Sequence, residues 1–131
     1  MQGLHLTADL QQCRCALQWL TDADFLLQHC IDAVRLAGLQ PVAHLCHTFA
    51  STAQGAGGFT ATVLLAESHL CIHTWPEQSA VTLDVYVCNF GGDNSQKAHA
   101  LMASLLVMFA AEKVQQQQME RGSGYGTHSR A

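Results

Sequence analysis

The stretch AESHLCIHTWPE, residues 66–77, sets a carboxylate, a hydroxyl and an imidazole in succession as Glu67, Ser68 and His69, with a second imidazole, His73, four residues on. A thiol, Cys88, follows fifteen residues after His73. A serine hydroxyl beside a base can be a nucleophile, so hydrolysis is the first chemistry to weigh. Its usual surroundings are missing. There is no G-x-S-x-G elbow, and Glu67, Ser68 and His69 are consecutive residues whose side chains alternate across a strand, so they cannot form a triad among themselves. His69, Cys71 and His73 form an H-x-C-x-H stripe on one strand face, and His44, Cys46 and His47 add further ligands. A zinc-binding module is therefore a rival reading, although the spacing fits no common structural site.

A sheet must position these residues. TATVLLAES and HLCIHTW are β-rich runs, WPEQSA supplies a turn, and VTLDVYVC alternates apolar and polar residues. If residues 69–74 and 81–87 pair as a hairpin around that turn, opposite residues have numbers summing to about 155, and Ser68 falls beside Val87 and Cys88. That register predicts a cluster of Ser68, Cys88 and His73 at one end of the hairpin, with Glu67 entering from the preceding strand.

Further elements flank this meander. GLHLTADL, from Gly3, has the period of a half-buried strand. Thr21 and Asp24 resemble a capping box for a helix over 22–37, which Gly38 stops. PVAHLCHTFA, from Pro41, reads as a second strand, and STAQGAGG, 51–58, as a glycine-rich loop. Ala98, Leu101, Met102, Leu105, Met108 and Phe109 mark the buried face of a second helix, capped by Asp93 or Asn94. VQQQQME reads as a short last strand and RGSGYGTHSRA as a mobile tail. The order predicts one α+β domain, a two-layer sandwich in which both helices pack on one face of an antiparallel sheet.

Composition narrows the function classes. With 131 residues, nearly half of them apolar and 12% charged, the chain reads as one folded globule. A net charge of -4 with no basic run excludes nucleic acid as an expected partner. No apolar block approaches the roughly 20 residues of a membrane helix, and the N-terminus lacks the features of an export signal, so a soluble cytoplasmic protein with reduced cysteines is expected.

AESHLCIHTWPE followed by LDVYVC resembles the signature of the prokaryotic S-adenosylmethionine decarboxylase proenzymes, a likeness that runs from GLHL to the ERG at 120–122. The resemblance implies that Ser68 attacks the carbonyl of Glu67 and that β-elimination then releases the upstream chain. Residues 1–67 would form the β chain, and 68–131 an α chain that begins with a pyruvoyl group made from Ser68. His73 matches the family's proton acceptor in processing, and Cys88 the proton donor to the substrate after decarboxylation. An unperturbed thiol, with a pKa of about 8.5, holds its proton near neutral pH, as an acid must. Thr60 stands where the family usually carries a serine that assists processing. Phe49, in HTF, matches an aromatic that stacks near the adenine and sulfonium of the substrate, and Glu77 the carboxylate that holds its ribose hydroxyls. The implied partners are S-adenosylmethionine and a second copy in a homodimer. The same pyruvoyl chemistry on ornithine or arginine is the alternative.

Overall fold

Leu4, Leu6, Ala8 and Leu10 are buried and alternate with His5, Thr7 and Asp9 along β1 (Gly3–Cys13). The same period runs through β3 (Phe59–Leu65), β4 (Ser68–Trp75) and β5 (Ala80–Cys88), which send every second residue into one core. With β2 (Pro41–Thr48) and β6 (Ala111–Arg121) they form a six-stranded antiparallel sheet in the order β2-β3-β4-β5-β1-β6. The computed structural model describes residues 2–122, so most of the tail expected after Glu120 lies outside the described residues.

Three α-helices, α1 (Gln18–Thr21), α2 (Ala23–Leu36) and α3 (Ser95–Phe109), and a short 3-10 turn, Pro76–Gln78, complete the described residues. Helix α2 packs on β2 and β3, and α3 on β1 and β5. Leu26, Val34, Leu101, Leu105 and Phe109 meet Leu10, Phe59, Val63, Leu70, Ile72, Val81 and Val85 in the core. This is the expected two-layer sandwich. The other sheet face has no covering layer among the described residues, and it carries the polar set, including Thr60, His69, His73 and Asp84.

Local chemistry sets the helix ends. The cap of α2 is Asp22, one residue past the expected Thr21, because its extended backbone lets the carboxylate accept from Phe25 N–H at 3.1 Å. At the far end Gly38, with φ +88°, donates to Arg35 C=O while Leu39 donates to Val34 C=O, so the helix stops where expected. For α3 the capping contact comes from Asp93, whose carboxylate accepts from Ser95 N–H at 2.9 Å; Asn94 turns back to Cys88 C=O.

The last strand is longer than expected. It spans eleven residues and pairs with β1 from Gly3↔Arg121 to Cys13↔Ala111. Residues Glu112–Arg121 are exposed, so backbone pairing to β1 holds it there and burial contributes little.

Candidate active site

Strands β3 and β4 join through Ala66 and Glu67, and Leu65 pairs with Ser68 across that turn. Glu67 sits in the left-handed region, φ +56°, a conformation that costs a non-glycine residue roughly 1–2 kcal/mol. Ser68 is therefore the first residue of β4, immediately after a strained peptide. On its other side runs β5, and His69↔Tyr86 has the register expected from the hairpin. Cys88 N–H consequently donates to Ser68 Oγ at 3.0 Å. Glu67, Tyr86, Cys88 and Phe90 line a cavity of about 390 Å³ beside that contact. Bonds that hold the loop after Cys88 include Asn94 Nδ2 to Cys88 C=O at 2.9 Å, Asn94 N–H to Asn89 Oδ1 at 2.8 Å and Asn89 N–H to Gln2 C=O at 2.7 Å.

His73 does not join this cluster. It lies five residues further along β4, opposite Thr60 on one side and Thr82 on the other. At the usual rise of a strand that is about 17 Å from Ser68, so the three-way cluster expected from the register divides in two. A strand separates what a helix would have stacked. Around His73 a second set assembles: its Nδ1 is 2.9 Å from Thr60 Oγ1, and Phe49, Trp75 and Glu77 share with them a cavity of about 480 Å³. Phe49 N–H donates to Gly58 C=O at 2.9 Å, which closes the glycine-rich loop against this cavity. Gly58 is required there, since a Cβ would stand 2.2 Å from Thr74 C=O.

The H-x-C-x-H stripe faces the uncovered side of the sheet, but its members take three different partners. His69 Nε2 is 2.9 Å from Asp84 Oδ2, Cys71 Sγ is 3.2 Å from Thr62 Oγ1, and His73 bonds Thr60. Burial pushes the Cys71 thiol up. All six cysteines are free, and Cys13, Cys15, Cys30 and Cys46 pack in or against the core. Asp84 also meets His5 Nε2 at 2.7 Å, a convergence that sequence reading missed. Both residues stand on the polar phase of their strands, but 79 positions separate them, and only the β1–β5 pairing brings them together.

A family model described as S-adenosylmethionine decarboxylase matches residues 4–122. The S-adenosylmethionine decarboxylase proenzyme of Aquifex aeolicus (strain VF5) is 37% identical over 121 residues, spanning 92% of this chain and 81% of that protein. The proenzyme of Acidithiobacillus ferrooxidans (strain ATCC 53993 / BNL-5-31) is 35% identical over 120 residues, 92% of this chain and 82% of that one. Among solved structures, the adenosylmethionine decarboxylase from Aquifex aeolicus VF5 matches with a TM-score of 0.78 and 32% identity, covering 92% of this chain and 90% of that chain.

Proposed function

The chain belongs to the S-adenosylmethionine decarboxylase family, and from that premise we propose that it cleaves itself between Glu67 and Ser68 and then decarboxylates S-adenosylmethionine, supplying an aminopropyl donor for polyamine synthesis. The observation that carries the reading is the 3.0 Å bond from Cys88 N–H to Ser68 Oγ, next to a cavity that Cys88 itself lines. Ser68 fits as precursor of a pyruvoyl group because its hydroxyl is held in place and the peptide before it is strained at Glu67. At that position Ser68 would hold the pyruvoyl group, which would supply a carbonyl able to take up the substrate amine and draw in electrons as carbon dioxide leaves. Cys88 serves as the acid toward the α-carbon. Residues 1–67 become the β chain and 68–131 the α chain of one domain.

His73 is the proposed proton acceptor in processing, with Thr60 orienting its imidazole. Its place at the far end of β4 supports a homodimer. Two uncovered sheet faces packed about a two-fold axis, with strands antiparallel, set the start of β4 over the end of its partner's β4. The Ser68–Cys88 half of one protomer then meets the His73, Thr60, Phe49 and Glu77 half of the other. Phe49 and Trp75 offer aromatic faces to an adenine and a sulfonium, and Glu77 a carboxylate to ribose hydroxyls. This favours the nucleoside substrate over ornithine or arginine, which present neither adenine nor ribose.

Denatured intact mass tests the first step and release of labelled carbon dioxide the second. Expected are two chains, residues 1–67 and a pyruvoyl-headed 68–131, with turnover of S-adenosylmethionine and none of ornithine or arginine. A single chain of 14.2 kDa after long incubation would overturn the reading.

A further inference from the structure

Tyr86 lies on the cavity wall between Glu67 and Cys88, and its ring is held on several sides. His5 meets it edge-on, with centroids 5.7 Å apart, and His69 lies 5.8 Å away at a 32° tilt. The Arg121 guanidinium carbon is 5.8 Å from the ring centroid. Gly3 passes so close that an added Cβ would stand 2.6 Å from the phenol oxygen. These neighbours come from β1, β4 and β6, so three strands fix one side chain of β5.

The neighbours are themselves linked. Arg121 Nη1 is 3.0 Å from His5 Nδ1, and an arginine can only donate, so His5 Nδ1 accepts and Nε2 carries the proton. His5 Nε2–H then donates to Asp84 Oδ2, which also receives His69 Nε2–H. His5, His69 and Asp84 converge as metal ligands do. The arginine argues against a metal, because a ligating histidine usually donates its other ring N–H to an acceptor and here that nitrogen faces a cation. The cluster is better read as a hydrogen-bonded frame around Tyr86.

We propose that Tyr86 is a substrate-positioning residue of the decarboxylation site, and that the Arg121–His5–Asp84–His69 chain sets its ring. The inference rests on the function proposed above. The ring presents an apolar wall beside Cys88 and holds the substrate's α-carbon in line with the thiol. Asp84 acts only through the ring. The frame joins His5 of the upstream segment to residues downstream of the proposed cut, so it outlasts processing.

The test uses processed enzyme, with cleavage checked by intact mass and kcat and KM measured on S-adenosylmethionine. Tyr86→Leu and Asp84→Ala should each lower kcat about tenfold with KM little changed, and Tyr86→Phe, which keeps the ring, should recover most of what Tyr86→Leu loses. The double variant should be no worse than about tenfold, because a residue acting through a ring loses its effect when the ring is gone. Gly3→Ala, which displaces the ring from outside the cavity, should match Tyr86→Leu and carries the test if that variant stays uncleaved. Wild-type kcat in Asp84→Ala or Gly3→Ala, or a double variant down about a hundredfold, would overturn the proposal. A wild-type protein that releases no carbon dioxide refutes the parent reading and this one with it; silent variants of an active enzyme refute this one alone.

Discussion

Cys88 holds Ser68 through its backbone: the N–H, not the thiol, lies 3.0 Å from Ser68 Oγ. Truncating the thiol leaves that bond intact. Cys88→Ala should therefore still be cleaved at a near wild-type rate, while turnover falls about a hundred- to ten-thousandfold, the usual span of a lost acid. Ser68→Ala should remain one chain. Intact mass and a carbon dioxide release assay separate the two, and a Cys88→Ala protein that fails to process would show that the thiol acts before decarboxylation.

Thr60 Oγ1 lies 2.9 Å from His73 Nδ1, and in the proposed processing step it fixes the imidazole. Thr60→Val keeps the shape and loses the hydroxyl, so cleavage should slow by at least about tenfold, toward the lower range for a misplaced base. Thr60→Ser should restore it. The half-time of chain cleavage on a denaturing gel is the readout, and equal half-times for valine and serine would remove Thr60 from the mechanism.

If each site takes one half from either protomer, two dead variants should complement. Ser68→Ala and His73→Ala, each uncleaved alone, should on co-expression yield cleavage of the His73→Ala chains paired with Ser68→Ala partners. Tagged chains and mass spectrometry identify which was cut. No cleavage in a verified mixed dimer would place the proton acceptor elsewhere.

Thr74 is the one buried polar side chain among the described residues, 3% exposed, and it has two partners. Its hydroxyl donates to Leu20 C=O at 2.8 Å and accepts from Phe59 N–H at 3.0 Å, tying α1 to β3 beneath the His73 cavity. Thr74→Val orphans both backbone groups and should cost about 2 kcal/mol. A urea melt of an uncleaved Ser68→Ala background measures it cleanly, and a loss under about 0.5 kcal/mol would mean the two groups find other partners.

Burial pushes the Cys30 thiol up to about 12 and, with Cys15 nearby, the Cys13 thiol up to about 11, from an ordinary 9.0. The folded values lie above the unfolded ones, so their contribution is fully present below pH 9 and drains away as pH climbs through 11 to 12. Urea midpoints should fall over that alkaline range. Cys30→Ala should start lower and decline less steeply; an identical slope would assign the alkaline loss to other groups.

The hairpin around WPEQSA was legible because strand period and turn chemistry together set a register, and Ser68 meets Cys88 as that register requires. The two long helices, α2 and α3, were legible from the helical spacing of their apolar residues, whereas the four-residue α1 was not. What failed was distance. Five residues separate Ser68 from His73, a span that looks short in a list of letters and is long in an extended chain. The His5–Asp84–His69 frame escaped notice because it depends on β1 lying next to β5, a pairing that no local pattern encodes. Strand β6 extends beyond VQQQQME, and its glutamines, which face water, offer no alternation that would mark its ends. Its length follows from matching β1, a property of the neighbour and not of the segment.

Strand β1 lies between β5 and β6, and this placement dictates the order of events in the life of the molecule. A break after Glu67 assigns β1, β2 and β3 to one product and β4, β5 and β6 to the other, yet β1 stays wedged between two strands of the second product. The pieces are interlocked like the fingers of two hands. They can part only if the sheet unravels, and two separately made halves would lack a finished groove to meet in. If the chain cuts itself there as proposed, the cut is a late act, performed by a molecule that has already finished folding, and the nick leaves no seam along which it can come apart.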